Sequence, residues 1–147
     1  QGRWKCFTGR IAEEETVIFC PEGVDFSNEA TQKLLKNAII RALKRRAEGY
    51  LPLVLKEWSE RYHLPYKRVK ITQSKTRWGS CSSAKSINLS CYLMLLPPHL
   101  MDYVMLHELA HIKEMNHGPR FWELLDDMTE NQAHALRKEL RAYKLPF

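Results

Sequence analysis

Between His99 and Met115 the chain offers a helix with almost no wet face. Leu100, Met101, Val104, Met105, Leu106, Leu109, Ala110 and Ile112 are spread around its circumference. Such a helix has to be buried. Yet the same segment carries His107, Glu108 and His111. Burying polar or charged groups without partners costs roughly several kcal/mol. The fold must therefore wrap this helix and still satisfy two imidazoles and a carboxylate. Residues four apart on an α-helix lie one turn above each other, so His107 and His111 face the same way and can share one metal ion. Glu108 is rotated by about 100° from His107. It reaches the ion's neighbourhood rather than the ion, where a general base for a metal-activated water belongs.

His117 follows His111 by six residues, past the expected helix end at Asn116, His117 and Gly118, where the chain can turn back. Three nitrogens with one position left open is a catalytic zinc arrangement rather than a structural one. Glu130 is a rival third ligand. Its place inside a capping signal at Thr129–Gln132 favours a helix cap instead. His63, His99 and His134 have no such arrangement and read as surface residues. Tyr103 is four before His107 and shares its face; it reads as a core tyrosine before a residue that orients a ligand. Asn116 reads as the residue that ends the helix and hydrogen-bonds behind a ligand, with Phe121 and Trp122 packing the next helix against the site. Cys81 has no histidine partner apart from the metal set, which argues against a thiol nucleophile.

Elsewhere the pattern is mixed. Trp4–Phe7 and Thr16–Cys20 read as short strands joined by the acidic run Glu13–Glu15, with a turn at Pro21–Gly23. Ser27 or Asn28 can cap a helix whose apolar positions are Leu34, Leu35, Ala38, Ile39, Ala42 and Leu43. Gly49 and Pro52 predict its interruption, with a second helix from about Leu53 to Tyr62 that stops before Pro65. Val69, Ile71, Trp78, Ile87, Leu89 and Tyr92–Leu95 read as strands of a small antiparallel sheet. Pro97 and Pro98 open the buried helix, Pro119 opens another, and Thr129–Gln132 opens a last one carrying Ala133, Leu136, Leu140 and Tyr143. The expected class is α+β, a single domain over residues 1–147.

Composition removes several classes. With 147 residues, 44% hydrophobic and 27% charged, the chain has too much apolar content for disorder. Its longest apolar stretches, such as Cys91 to Pro98, fall short of the roughly 18 residues of a membrane span. Cys6, Cys20, Cys81 and Cys91 form no Cys-x-x-Cys pair, which predicts reduced thiols in a cytoplasmic protein without a signal peptide. The formal net charge is +6, and residues 61–101 contain no acidic side chain while holding Arg61, Lys67, Arg68, Lys70, Lys75, Arg77 and Lys85. That stretch is either a solvated basic face or a surface for phosphates, nucleic acid or acidic peptides.

The three-histidine spacing equals that of the metzincin peptidases, but Glu114 stands where those have glycine. A longer series gives a closer likeness: Thr76-Arg77-Trp78-Gly79-Ser80-Cys81-Ser82, Ile87-Asn88-Leu89, Asp102-Tyr103-Val104, His107–His111, Asn116-His117 and Phe121-Trp122, in that order. This resembles the YgjP-like metallopeptidase family of metal-dependent hydrolases over roughly residues 8–145, with the specific motifs in 75–122. The family is more distantly similar to the SprT-like and yeast DNA–protein crosslink proteases. The resemblance implies a zincin-like fold, zinc on His107, His111 and His117, and Glu108 as the base acting on a zinc-bound water. By analogy with zinc peptidases of this helix type, Arg77–Cys81 could line the cleft and pair with an extended peptide; a strand that only supports the zinc helix is the other reading. A zinc-dependent peptidase acting on peptide or protein is the expectation. A metal-dependent nucleotide or phosphoanhydride hydrolase, and a nucleic-acid-associated protease or binding module, are the alternatives, both motivated by the basic stretch.

Overall fold

Leu43, Ala47, Leu51, Leu55 and Ser59 recur every four residues and are all buried. This stripe makes one helix of the segment that Gly49 and Pro52 were expected to divide. In the computed structural model, which describes residues 4–11, 14–21 and 29–144, α1 runs unbroken over Glu29–Tyr62 with Pro52 inside it. A proline in a helix interior costs about 3 kcal/mol. Each fully buried leucine of the stripe contributes about 1.5–3 kcal/mol, so three of them outweigh it. Pro52→Ala restores the missing hydrogen bond but loosens the unfolded chain, and is expected to raise stability by about 2 kcal/mol. Urea unfolding checks this; a loss of stability would mean that Pro52 shapes the helix in a way the stripe requires.

Two strands precede α1. β1 (Trp4–Ile11) pairs antiparallel with β2 (Glu14–Pro21), with Trp4 opposite Pro21 and Ile11 opposite Glu14. The pair is longer than its aromatic and β-branched residues suggested, because Glu14 and Glu15 belong to β2. The expected caps Ser27 and Asn28 lie outside the described residues.

After α1 come β3 (Arg68–Thr72), β4 (Gly79–Cys81) and β5 (Ser86–Ser90), forming a sheet in the order β3-β5-β4. The sheet is mixed, not antiparallel as expected. β4 and β5 form a hairpin with Gly79 opposite Leu89, whereas β3 runs parallel to β5 with Ile71 opposite Leu89. Alternating side chains declare which face of a strand is buried, here by Ile71, Ile87 and Leu89, but not its direction. Lys85, with φ 64°, makes the hairpin turn, its N–H bonded to the Ser82 carbonyl at 2.9 Å.

Tyr92–Leu95 is not a strand. Cys91–Leu95 forms a 3-10 helix, capped by Ser90, whose side chain accepts the Tyr92 N–H. Its first four residues are all buried; a short continuous apolar run carries no period by which to tell strand from helix. Three helices complete the fold: α2 (Pro98–Lys113), α3 (Pro119–Thr129) and α4 (Ala133–Ala142). Pro98 and Pro119 open α2 and α3 at the first turn, as expected. α2 is the centre of the molecule, packed by α1, α3, α4 and β4. The α+β class stands. No described helix is long and apolar enough to cross a membrane.

The capping signal at Thr129–Gln132 is not realised. Thr129 ends α3, and its hydroxyl donates back to the Leu125 carbonyl at 2.8 Å. Glu130 and Asn131 take left-handed conformations, with φ of 56° and 64°. The first N–H of α4, on Ala133, is received by Asp126 Oδ1 at 3.1 Å. The cap of α4 thus comes from the preceding helix, which a local pattern does not reveal.

Candidate active site

α2 presents His107 and His111 one turn apart, as its period requires. Glu114 closes this helix, its N–H bonded to the Ala110 carbonyl. The chain then turns back so that His117, just before α3, faces the pair. Ligand nitrogens of His107, His111 and His117 all lie within 4.8 Å of one another. Nε2 of His111 is 3.0 Å from Nε2 of His117. On its other side, His111 Nδ1 is 3.0 Å from the Glu114 carbonyl. A carbonyl can only accept, so the ring proton is on Nδ1 and the Nε2 lone pair points into the cluster. That hydrogen bond, expected from Asn116, comes instead from the backbone of Glu114; Asn116 is exposed.

The Tyr103 hydroxyl lies 3.4 Å from His107 Nδ1. Tyr103 is both a buried core residue and a neighbour of the cluster, and its burial pushes the hydroxyl up to about 12. Phe121, fully buried, forms a floor under all three imidazoles, with ring centroids 4.9, 4.6 and 4.8 Å from His107, His111 and His117. Trp122 packs beside it, edge-on at 5.2 Å.

The donor set suits a dication. Burial holds His107 down at about 3, helped by its neighbours His111 and His117, so its lone pair is free at neutral pH. His111, only 8% exposed, is also held below its ordinary value by burial. Three imidazoles with no acidic ligand form a set that zinc accepts.

Glu108 is 6% exposed. Burial pushes its carboxyl up to about 8, against the lowering pull of Arg77. Its neighbour is Gly79 at the start of β4. A Cβ there would meet the Asn88 carbonyl oxygen and Glu108 Cγ at 3.1 Å each, and Glu108 Oε2 at 3.2 Å. Glycine is thus what allows the strand to approach the carboxylate. Gly79→Ala is expected to lower kcat/KM about tenfold or more through displacement of Glu108, with metal content unchanged. Parallel assays of rate and metal test this; unaltered kcat/KM would mean that the carboxylate's position is not critical.

A cavity of about 490 Å³ opens onto the cluster, lined by His107, Glu108, His111 and His117. Arg77, Trp78, Gly79, Ser80 and Cys81 form one wall of it, while β4 also packs on α2. The segment therefore both lines the cleft and supports the helix. In the described sheet β4 is an edge strand. Cys81 is pushed up to about 11 by burial and by Glu108, which keeps the thiol protonated and inert. Cys81 and Cys91 are free thiols.

Other candidates lie apart. Glu130 is exposed and lines a different cavity with Trp58, His99 and Asp102. His63 is exposed, His99 bonds Glu139 at 2.6 Å, and His134 stacks on Trp122 at 4.3 Å. The seven basic residues of the acid-free stretch are all exposed, and only Arg77 among them reaches the cavity. Arg137 and Arg141 of α4 also line it and escaped the sequence reading. Their one signal is the four-residue spacing that puts both on one face of a helix.

The family described as YgjP-like, metallopeptidase domain, matches residues 7–143. The chain belongs to this family. It is a hydrolase of the metallopeptidase type. Two solved structures are similar to it. One is the metallopeptidase zymogen abylysin of Pyrococcus abyssi, with a TM-score of 0.52 and 22% identity over 58% of this chain and 87% of that one. The other is the metallopeptidase zymogen jannalysin of Methanocaldococcus jannaschii, with a TM-score of 0.51 and 25% identity over 59% of this chain and 89% of that one. The first likeness is one of fold. No curated protein matches the chain.

Proposed function

We propose that His107, His111 and His117 hold a zinc ion and that Glu108 is the general base of a peptide-bond hydrolase. The observation that carries this is the convergence of three imidazoles on one point beside a buried carboxylate, all facing one cavity. When bound, zinc supplies Lewis acidity that polarises a carbonyl and lowers the pKa of water. Glu108 takes the proton of the attacking water and hands it to the leaving amine. Burial pushes its carboxyl up, and a dication held by His107, His111 and His117 would draw it toward the ionised form. As an edge strand of the described sheet, β4 suits an extended peptide laid along it, with backbone hydrogen bonds giving affinity and Gly79 permitting close approach.

A peptide fits better than a phosphoanhydride. Phosphate sites are commonly built on the N–H groups at a helix N-terminus. Here the cavity takes Tyr103 to His111 from the body of α2 and Arg137 to Arg141 from the middle and end of α4, while six of the seven cations in the acid-free stretch lie outside its lining. Hydrolysis of quenched-fluorescence peptides is expected to cease after treatment with a zinc chelator and to return when zinc is restored. Peptide hydrolysis that survives complete metal removal would refute the reading.

A further inference from the structure

The cavity has a strong sign of charge. Glu108 is the single acidic residue among its described lining, against the guanidiniums of Arg77, Arg137 and Arg141. Among the described residues, none of these three is paired with a carboxylate. Arg137 and Arg141 stand one turn apart on α4 and reach the same cavity. Arg137 is half-buried, its guanidinium 5.5 Å from the centre of the Trp122 ring, which in turn lies 6.2 Å from the His117 ring. α4 itself is pinned at both ends and along its side. Ala133 N–H is held by Asp126, Glu139 meets His99 at 2.6 Å, and the Tyr143 hydroxyl donates to the Leu95 carbonyl at 3.0 Å. The arginines are thus carried by a fixed element beside the imidazole cluster. Arg77 stands two residues before β4, an edge strand of the described sheet.

Cations with no carboxylate partner among the described residues, in a cleft with apolar walls, here Trp78, Val104 and Leu140, focus potential onto a ligand of opposite charge. A guanidinium matches a carboxylate with two parallel hydrogen bonds. We propose that the site selects peptides with an acidic side chain next to the bond that is cut, its carboxylate received by Arg137 and Arg141 of α4. This rests on the peptidase reading and adds its substrate class. The same cations offset the repulsion between an acidic substrate and Glu108.

The test uses the zinc-loaded full chain and quenched peptides identical except for Glu, Gln or Lys at positions flanking the cleaved bond. The Glu peptide is expected to exceed its Gln twin in kcat/KM by about tenfold, mainly through KM. The ratio should shrink in about 0.5 M salt. Arg137→Gln with Arg141→Gln should bring the ratio close to one, while Arg137→Lys with Arg141→Lys, which keeps the charges but not the paired hydrogen bonds, should retain only part of it. If the double glutamine variant melts early, Arg141→Gln alone, at an exposed position, should still lower the ratio. Equal cleavage of all three peptides, a preference for Lys, or a ratio untouched in every arginine variant would overturn the inference and leave the peptidase intact. Zinc-loaded protein that cuts no peptide but releases phosphate from a nucleoside triphosphate would overturn the peptidase reading and this inference together.

Discussion

Glu108→Gln is expected to lower kcat/KM for peptide hydrolysis by about 10²–10⁴-fold, the usual contribution of a positioned acid–base group. The zinc content should not change, because the three imidazoles are untouched. The substitution is nearly isosteric, which matters at this position. Glu108 is almost wholly buried, and Gly79 leaves its side chain little spare room. A glutamine fits the same space without a new clash and cannot accept the water's proton. Burial pushes the native carboxyl up to about 8, so a neutral amide costs the metal-free fold no electrostatic partner of comparable worth. Loss of activity with a native melting curve and full zinc would assign the base. A variant that keeps zinc and full activity would show that the proton goes elsewhere.

His111→Ala is expected to remove both the metal and the stability that metal brings. Zinc binding at about a thousand times its dissociation constant stabilises a fold by about 4 kcal/mol, which raises Tm by about 10 °C in a chain of this size. The native protein should show that gap between zinc-saturated and chelated samples. The variant should melt at one temperature in both. His111 is the ligand to choose because its Nδ1–H is fixed by the Glu114 carbonyl, so its loss also frees the turn that delivers His117. A gap that persists in the variant would place the stabilising metal at another set of residues.

What could be read from the residues divides along a physical line. Convergence of His107 and His111 follows from the helical period alone, and the burial of their helix follows from its lack of a polar face. Arrival of His117 depends on the turn that follows Glu114, the residue that closes α2. Local propensity misled at Pro52, where the buried stripe Leu43, Ala47, Leu51 and Leu55 holds α1 together across a residue that would break an isolated helix. Strand direction was illegible because β3 and β5 alternate the same way whether parallel or antiparallel. The arginines of α4 were invisible as site residues for a different reason. Their place at the cavity comes from the docking of α4 on α2 and from Tyr143 reaching Leu95, 48 positions away. His107, Glu108 and His111 were legible from one helix's period and His117 from its place just past the helix end, whereas Arg137 and Arg141 reach the cavity only through tertiary packing.

The measurement that bears most directly on the metal centre is zinc stoichiometry with zinc-edge X-ray absorption on the purified full chain and on His107→Ala/His111→Ala/His117→Ala. One zinc per chain, surrounded by imidazole nitrogens and absent from the triple variant, is the predicted result. A native chain that takes up no zinc, or a triple variant that keeps it, would contradict the assignment.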